Sequence, residues 1–224
     1  MTDAQTINSF LHFVFLGFVA LFPPVNPVGS AVVVEPFLHY LDKKQRMQAA
    51  FMIASYCLTL CILSALIGGA FFNFFGISLP VVQMAGGILI CKMGWGILNA
   101  DNEEREKSAS VVPADTSKVQ SMLFYPLAFP MTTGGGTISV LLALSANSYD
   151  PEKLSHTFKM LALITSCVLM ALAIFVCYYY APSILKRLGK QGYQVANRLS
   201  GFLTFCVGLQ IFVNGLTGII HSFK

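Results

Sequence analysis

The sequence predicts an all-α membrane protein with six transmembrane helices, arranged as two inverted three-helix repeats. Three observations support this fold class: an apolar composition, apolar runs about as long as a bilayer is thick, and two matching Pro/Gly interruptions. Of the 224 residues, 55% are hydrophobic and 11% are charged, and the mean hydropathy is +0.69. A soluble domain carries about 25% charged residues, so this composition cannot cover a water-facing surface.

The apolar residues occur in long continuous runs, such as Phe51 to Phe72 and Met160 to Ala181. Runs of about 20 residues match the hydrocarbon core of a bilayer, and their continuity argues against a β-barrel, whose strands alternate. The first run lacks a preceding basic segment, so we do not expect a cleaved signal peptide. We predict six spans, of which the first and fourth are interrupted: 9–38, 47–71, 80–98, 119–146, 158–181 and 198–219.

Basic residues predict the orientation of these spans. The connections after spans one, three and five hold 10 of the 14 Lys and Arg residues, namely Lys43, Lys44, Arg46, Arg105, Lys107, Lys118, Lys186, Arg187, Lys190 and Arg198. The positive-inside rule places these connections in the cytoplasm and both termini outside. We therefore expect one membrane domain, with a first repeat at 1–98, a cytoplasmic loop at 99–118 and a second repeat at 119–224.

The two halves correspond to each other in sequence at two places. The prolines of the first interruption recur in the second at a shift of 103 residues, as Pro23 and Pro27 and then Pro126 and Pro130. Residues 83–91 also align with residues 198–206, in the third span of each half. Because each half has an odd number of spans, the halves enter the membrane from opposite sides, as in many secondary transporters.

The interruptions, Pro23 to Ser30 and Pro126 to Thr137, are the predicted site, and we expect the backbone to be unwound in both, including the glycine run 134–136. From Phe10 to Phe22 there are 13 residues, or about 20 Å of helix, which is too short to cross a core of about 30 Å, so the break is expected inside the membrane. Unwound backbone survives there only where it faces protein or a polar cavity. Helices that begin near Ser30 and Thr137 would present partial positive charge to a carboxylate. The predicted substrate-binding residues are Asn26, Pro27, Gly29, Ser30, Pro130, Thr132, Thr133, Gly134, Gly135, Gly136 and Thr137.

Few other residues carry a functional hypothesis. Lys92 lies within span three and is the candidate coupling residue for protons, against the alternative that it snorkels to the interface. We expect Glu35 to be interfacial and to pair with Lys43 or Lys44, and Tyr178 to Tyr180 to form an interfacial aromatic belt. Cys57 and Cys61, one helical turn apart, are more typical of buried thiols than of a redox pair.

Other functional classes lack sequence support. No metal-ligand spacing, nucleophile motif or basic nucleic-acid-binding run occurs in the sequence, so we expect neither an enzyme, nor a metal, nor a cofactor, nor a nucleic-acid partner. The leading hypothesis is a secondary transporter coupled to H⁺ or Na⁺. The alternatives are a channel built from paired half-helices and a membrane thiol oxidoreductase that uses Cys57 and Cys61. A homo-oligomer remains open.

The sequence resembles the MarC family of bacterial inner-membrane proteins, also called the six-span neutral amino-acid transporter family. The segments that carry the resemblance run through the chain in family order: 26–29, 83–87, 126–130, 134–137 and 198–202. Where family members often have Gly-Pro-Gly-Thr, this chain has Gly134-Gly135-Gly136-Thr137, which makes the loop more flexible. The resemblance implies a multi-pass protein of the bacterial inner membrane that transports small neutral amino acids such as glycine or alanine.

Overall fold

The computed structural model describes residues 3–74, 76–99, 116–147 and 153–222, and all regular structure in these ranges is helical. Most of the predicted cytoplasmic loop, 100–115, lies outside them. The helices are α1 (Asp3–Val25), α2 (Pro27–Leu38), α3 (Lys43–Phe74), α4 (Leu79–Asn99), α5 (Thr116–Met122), a π-helical segment (Leu123–Thr132), α6 (Gly135–Asn147), α7 (Lys153–Tyr179) and α8 (Ala181–Ser222).

Within the described residues, four helical stretches are long and apolar enough to cross a membrane: Thr6–Val25, Lys43–Ile67, Thr157–Tyr179 and Arg198–Ile220. A bent pair, Val119–Thr132 with Gly135–Ser145, makes up to a fifth span and bends by 65°. These stretches correspond to five of the six predicted spans. The remaining predicted span, 80–98, corresponds to α4, which is not among them.

Two predictions about helix extent are wrong. The apolar stretch Thr6–Val25 has 20 residues, or about 30 Å, so α1 alone is long enough to cross a bilayer core and the argument from a 13-residue half-helix fails. The basic connection before the last span is also not a loop. It belongs to α8, which begins at Ala181 and consists of two helical parts that meet at a kink at Gly189 (φ 60°). Glycine adopts this φ readily because it has no Cβ atom.

The helices pack in a regular scheme. Helices α1 and α2 pack on α7 and on α8, whereas α6 packs on α3 and on α4, and the π-helical segment joins it on α3. Helices α3 and α7 also contact each other. The buried core lies between α1, α2, α3, α6 and α7, where Leu21, Ile53, Leu127, Leu141 and Ile174 are almost completely buried.

The closest helix pair is α4 with α8, whose backbones touch at glycines. A Cβ atom on Gly87 would lie 2.6 Å from the backbone nitrogen of Phe212, and one on Gly208 would lie 2.6 Å from that of Cys91. Gly94 and Gly215 are equally crowded by backbone of the facing helix, and Gly201 is crowded by the Ile97 side chain of α4. Small residues permit such close approach between membrane helices, so α4 and α8 form one tightly joined unit.

Candidate functional site

The first break is confined to one residue. Asn26 adopts a left-handed conformation (φ 44°, ψ 65°) between α1 and α2, and Pro27 follows as the first residue of α2. We expected the chain to unwind from Pro23 to Ser30. Instead, Pro23 and Pro24 lie in the last turn of α1, and the backbone bonds Asn26 N to Phe22 O (2.8 Å) and Ser30 N to Asn26 O (2.8 Å) continue across the break.

The Asn26 side chain caps the helix that it precedes. Its Oδ1 accepts a hydrogen bond from Gly29 N (3.1 Å) and another from the Ser200 hydroxyl of α8 (3.1 Å). The side chain occupies the space that a Cβ atom on Gly29 would need. Ser30 donates to Asn26 O (3.0 Å). Asn26 and Gly29 therefore act as an internal cap that ties the first break to α8.

The second break is longer and less regular. Tyr125 and Phe129 have extended backbone conformations within the π-helical segment, each followed by a cis proline, Pro126 and Pro130. The segment ends with Thr133 N donating to Ala128 O (2.9 Å). Between the end of this segment and the start of α6 there are two residues, Thr133 and Gly134. The glycine run was expected to unwind, but Gly135 and Gly136 form the first turn of α6.

Tyr178 of α7 connects the two breaks. The Thr132 hydroxyl donates to Leu127 O (2.6 Å) and accepts a hydrogen bond from the Tyr178 hydroxyl (2.6 Å). The Ser30 side chain of the first break lies beside the same Tyr178 hydroxyl. Tyr178 is completely buried, so its predicted place in an interfacial aromatic belt is wrong. Its hydroxyl bonds to the Thr132 side chain and lies beside the Ser30 side chain, so the two breaks meet at Tyr178.

Two hydroxyls of the second break have no hydrogen-bond partner. Thr133 Oγ1 and Thr137 Oγ1 are the unsatisfied buried side-chain polar atoms in the described part of the chain. Both residues are fully buried. The thiols of Cys57 and Cys61 lie beside Thr133, and the Cys57 thiol donates weakly to Ala128 O (3.8 Å) instead. An unsatisfied buried hydroxyl costs about 1–3 kcal/mol, and this cost calls for a functional explanation.

The two helix N-termini at the breaks differ in what they offer a ligand. At α2, Pro27 has no N–H group, Gly29 N is bonded to Asn26 Oδ1 and Ser30 N to Asn26 O. At α6, Gly135, Gly136 and Thr137 supply the first N–H groups, which have no acceptor within the helix. These N–H groups and the two unpaired hydroxyls form a donor-rich site at the α6 N-terminus, suited to an anionic group.

The structure separates the other candidate residues from this site. Lys92 is exposed on α4, whereas the adjacent Met93 contacts the position of Gly136. The predicted pairing of Glu35 with Lys43 or Lys44 is wrong. Glu35 is buried and forms a two-point ion pair with Arg46 (2.6 and 3.0 Å), and Arg46 also donates to Leu38 O (2.9 Å). This ion pair joins the end of α2 to the start of α3.

Three residues near the breaks were missed as site residues from the sequence. They are Tyr178, Ser200 and Met93, which lie on helices remote in the chain. From the sequence, Tyr178 was assigned to an aromatic belt, Ser200 to the repeated segment and Met93 to an apolar run. Ser200 has the clearest sequence signal, because it is a hydroxyl residue within the segment that repeats residues 83–91. Nothing in the sequence distinguishes Tyr178 from its two tyrosine neighbours.

A cavity of ≈ 370 Å³ lies elsewhere, between the first turns of α3 and the region of α5. Its lining includes Gln45, Gln48 and Gln120 together with Phe51 and Met52. The unpaired hydroxyls of Thr133 and Thr137 are not part of its wall. The candidate site at the breaks is therefore separate from this cavity.

Comparison with known proteins agrees with these features. A sequence model of MarC family integral membrane proteins matches residues 11–220. The UPF0056 inner membrane protein MarC of Salmonella typhimurium is 27% identical over 212 residues, which cover 93% of this chain and 96% of the relative. The MarC protein of Escherichia coli O139:H28 is 26% identical with the same coverage. No solved structure matches. With its apolar helices, the chain is an integral protein of the inner membrane, and it belongs to the MarC family.

Proposed function

We propose that this protein is a secondary transporter of small neutral solutes, with amino acids such as glycine or alanine as the leading substrates. The observation that carries the proposal is the pair of buried, unpartnered hydroxyls, Thr133 and Thr137, at the N-terminus of α6. Neutral hydroxyls and backbone N–H groups bind a carboxylate without bringing in a full positive charge. Because the site is formed by glycines and short hydroxyl side chains, it suits a small substrate.

The helix ends at the breaks suggest how the substrate would be oriented when bound. Its carboxylate would bind at the α6 N-terminus, where the helix dipole is positive. Its ammonium group would bind toward the C-terminal end of α1, where the dipole is negative and Pro27 cannot donate to the Pro23 carbonyl. The α2 N-terminus does not compete for the carboxylate, since Asn26 already satisfies it.

The packing scheme supports six spans in two inverted repeats. A two-fold relation between the halves would exchange span one with four, two with five and three with six. Under this exchange the packing of α1 and α2 on α7 becomes that of α6 and its preceding segment on α3. The packing of α1 and α2 on α8 becomes that of α6 on α4. The pairs α3–α7 and α4–α8 map onto themselves, as a two-fold relation between the repeats requires. The odd number of spans in each half then makes the repeats inverted.

Alternating access is favoured over a permanently open channel. Ser30, Thr132, Thr133 and Thr137 are all buried, so the site is closed in this conformation. A transporter passes through such a closed form, and its open forms must part the two breaks, which meet at Tyr178. Protons remain the first candidate for coupling and Na⁺, held by hydroxyl and carbonyl oxygens, the second.

The decisive experiment is counterflow in proteoliposomes that contain the purified protein. Vesicles are loaded with unlabelled glycine or alanine, and entry of the labelled amino acid is followed with and without imposed H⁺ or Na⁺ gradients. We expect saturable, gradient-dependent uptake. Thr133→Val should lower it about tenfold or more, because a hydrogen bond to a charged group contributes about 1.5–3 kcal/mol.

The matched control is Thr59→Val, since Thr59 is an exposed threonine of α3 whose hydroxyl bonds only within its own helix. It should transport like the unmodified protein. Fast, non-saturable flux that ignores gradients would indicate a channel and contradict the proposal. Equal transport by Thr133→Val and Thr59→Val would show that the α6 N-terminus is not the site.

A further inference from the structure

One face of α8 carries a regular exposed seam. The residues Leu199, Leu203, Cys206, Gln210, Val213, Thr217 and Ile220 follow one another at alternating spacings of four and three, and all are exposed. We call these residues the α8 seam. The opposite face of α8 holds Gly201, Gly208 and Gly215, which pack on α4. A heptad spacing that continues over three heptads is the pattern by which two helices pack along a shared stripe.

The α8 seam contains one strongly polar residue near its middle. Gln210 lies 12 residues from Arg198 and 10 from Ile220, the ends of the apolar stretch, so about 15 Å or more of helix separates it from either end. Its Nε2 donates to Asn214 Oδ1 (2.9 Å). A primary amide has two donors and one acceptor oxygen, so the Gln210 oxygen and the Asn214 N–H groups retain bonding capacity. Hydrocarbon cannot meet that capacity.

A second copy of the same chain can supply hydrogen-bond partners for Gln210 and Asn214 by symmetry. Two copies in one membrane have the same orientation, so a two-fold axis along the membrane normal sets their α8 helices parallel. Equivalent seam residues then face each other at equal depth, and Gln210 meets Gln210. An amide is self-complementary because it both donates and accepts, and polar side chains in membrane spans bond across helices in this way.

We propose that the protein forms a parallel homodimer through the α8 seam, with Gln210 as the polar contact that fixes its register. Helix α4 lies behind α8 in each copy and remains outside the contact. The dimer does not depend on the identity of the transported solute, so its test is separate from the counterflow assay.

A native cysteine of the α8 seam can be used to test this contact. Cys206 belongs to the α8 seam and is the exposed cysteine among the six, the others being buried or partly buried. A disulfide forms only when the two Cα atoms come within about 7 Å, a condition that facing seam positions in a parallel pair meet. Mild oxidation of the protein in native membranes should give a disulfide-linked dimer on non-reducing gels, and Cys206→Ala should abolish it.

Matched cysteine variants in the Cys206→Ala background separate a specific contact from random collision. Val213→Cys places a thiol in the α8 seam, whereas Leu172→Cys places one on the exposed surface of α7, outside the seam. We expect cross-linking to return with Val213→Cys and not with Leu172→Cys. Copy counting in nanodiscs at low protein-to-lipid ratio should give two chains. One chain per disc, or equal cross-linking by the two variants, would overturn the proposal.

Discussion

Three threonines within six residues have different environments in the second break. The Thr132 hydroxyl has two partners, Leu127 O and Tyr178, while the Thr133 and Thr137 hydroxyls have none. The sequence predicted all three as site residues because hydroxyls in an apolar span need a reason. It could not separate them, since the partner of Thr132 is 46 residues away in the chain. At this scale the sequence identifies the candidates, and tertiary packing assigns their roles.

Removing the unpaired hydroxyls should preserve or raise stability. Thr133→Val and Thr137→Val keep the side-chain shape and remove a buried hydroxyl whose missing partner costs about 1–3 kcal/mol. Thr132→Val leaves Tyr178 without its partner and should destabilise the protein by a similar amount. Thermal unfolding in detergent, read by size-exclusion chromatography, gives the order of the three variants. If Thr133→Val unfolds before Thr132→Val, the unpaired hydroxyl has a partner in solution.

Gly29→Ala should damage the first break. A Cβ atom there overlaps the Asn26 side chain, which must leave its cap, and the loss of such a cap costs about 0.5–2 kcal/mol. Gly135→Ala at the second break is the matched control, because a Cβ atom there has nothing within 4 Å. We expect a lower melting temperature for the first variant only. Equal melting temperatures would show that Asn26 does not cap α2.

At the scale of elements, prolines located both breaks correctly but overstated their length. Pro23 and Pro24 fit the last turn of α1, and Pro27 fits the first position of α2, where its missing N–H group costs nothing. The glycine run was misjudged for a related reason. Gly135 and Gly136 enter α6 although glycine is a poor helix former, because tertiary packing outweighs propensity. Local sequence therefore marks a break, and the cap residue decides how far it extends.

The α4–α8 pair gives a prediction about an element. Gly208→Ala should separate the two helices, since its Cβ atom would meet the backbone of α4 at Cys91 N and Gly87 O, and backbone cannot move aside. Overpacking of this kind costs about 1–3 kcal/mol. Gly96→Ala is the control, because a Cβ atom on Gly96 of α4 meets nothing within 4 Å. Thermal unfolding should distinguish them, and equal stability would show that the helices are not in backbone contact.

At the scale of the whole molecule, the sequence predicted an all-helical membrane protein, and this is confirmed. Composition sufficed for that conclusion because a bilayer admits few backbone arrangements. The contacts between halves were not predictable, since apolar helices resemble one another and their neighbours are set by small differences in shape. Partner choice within one half was not predictable either: three basic residues follow α2 closely in sequence, and the geometry selects Arg46 for Glu35.

The predicted orientation has a direct test. Because 10 of the 14 Lys and Arg residues lie in the connections placed in the cytoplasm, both termini should be periplasmic. Alkaline phosphatase, which is active only outside the cytoplasm, should be active when fused to the C-terminus, and a green fluorescent protein fusion should be dark. The reverse pattern would contradict an even number of spans with outside termini. Fusions after Leu41 provide the opposite control.

Because the hydroxyls of Thr133 and Thr137 are unpaired, the melting temperature of the substrate-free protein should report substrate binding. A solute that bonds to both relieves an unfavourable state that exists only in the folded protein, so its binding should raise the melting temperature with concentration. Solutes that lack a carboxylate should leave it unchanged. A library of small molecules can then be ranked by melting temperature alone, before any vesicle is made, and Thr133→Val supplies the insensitive reference protein.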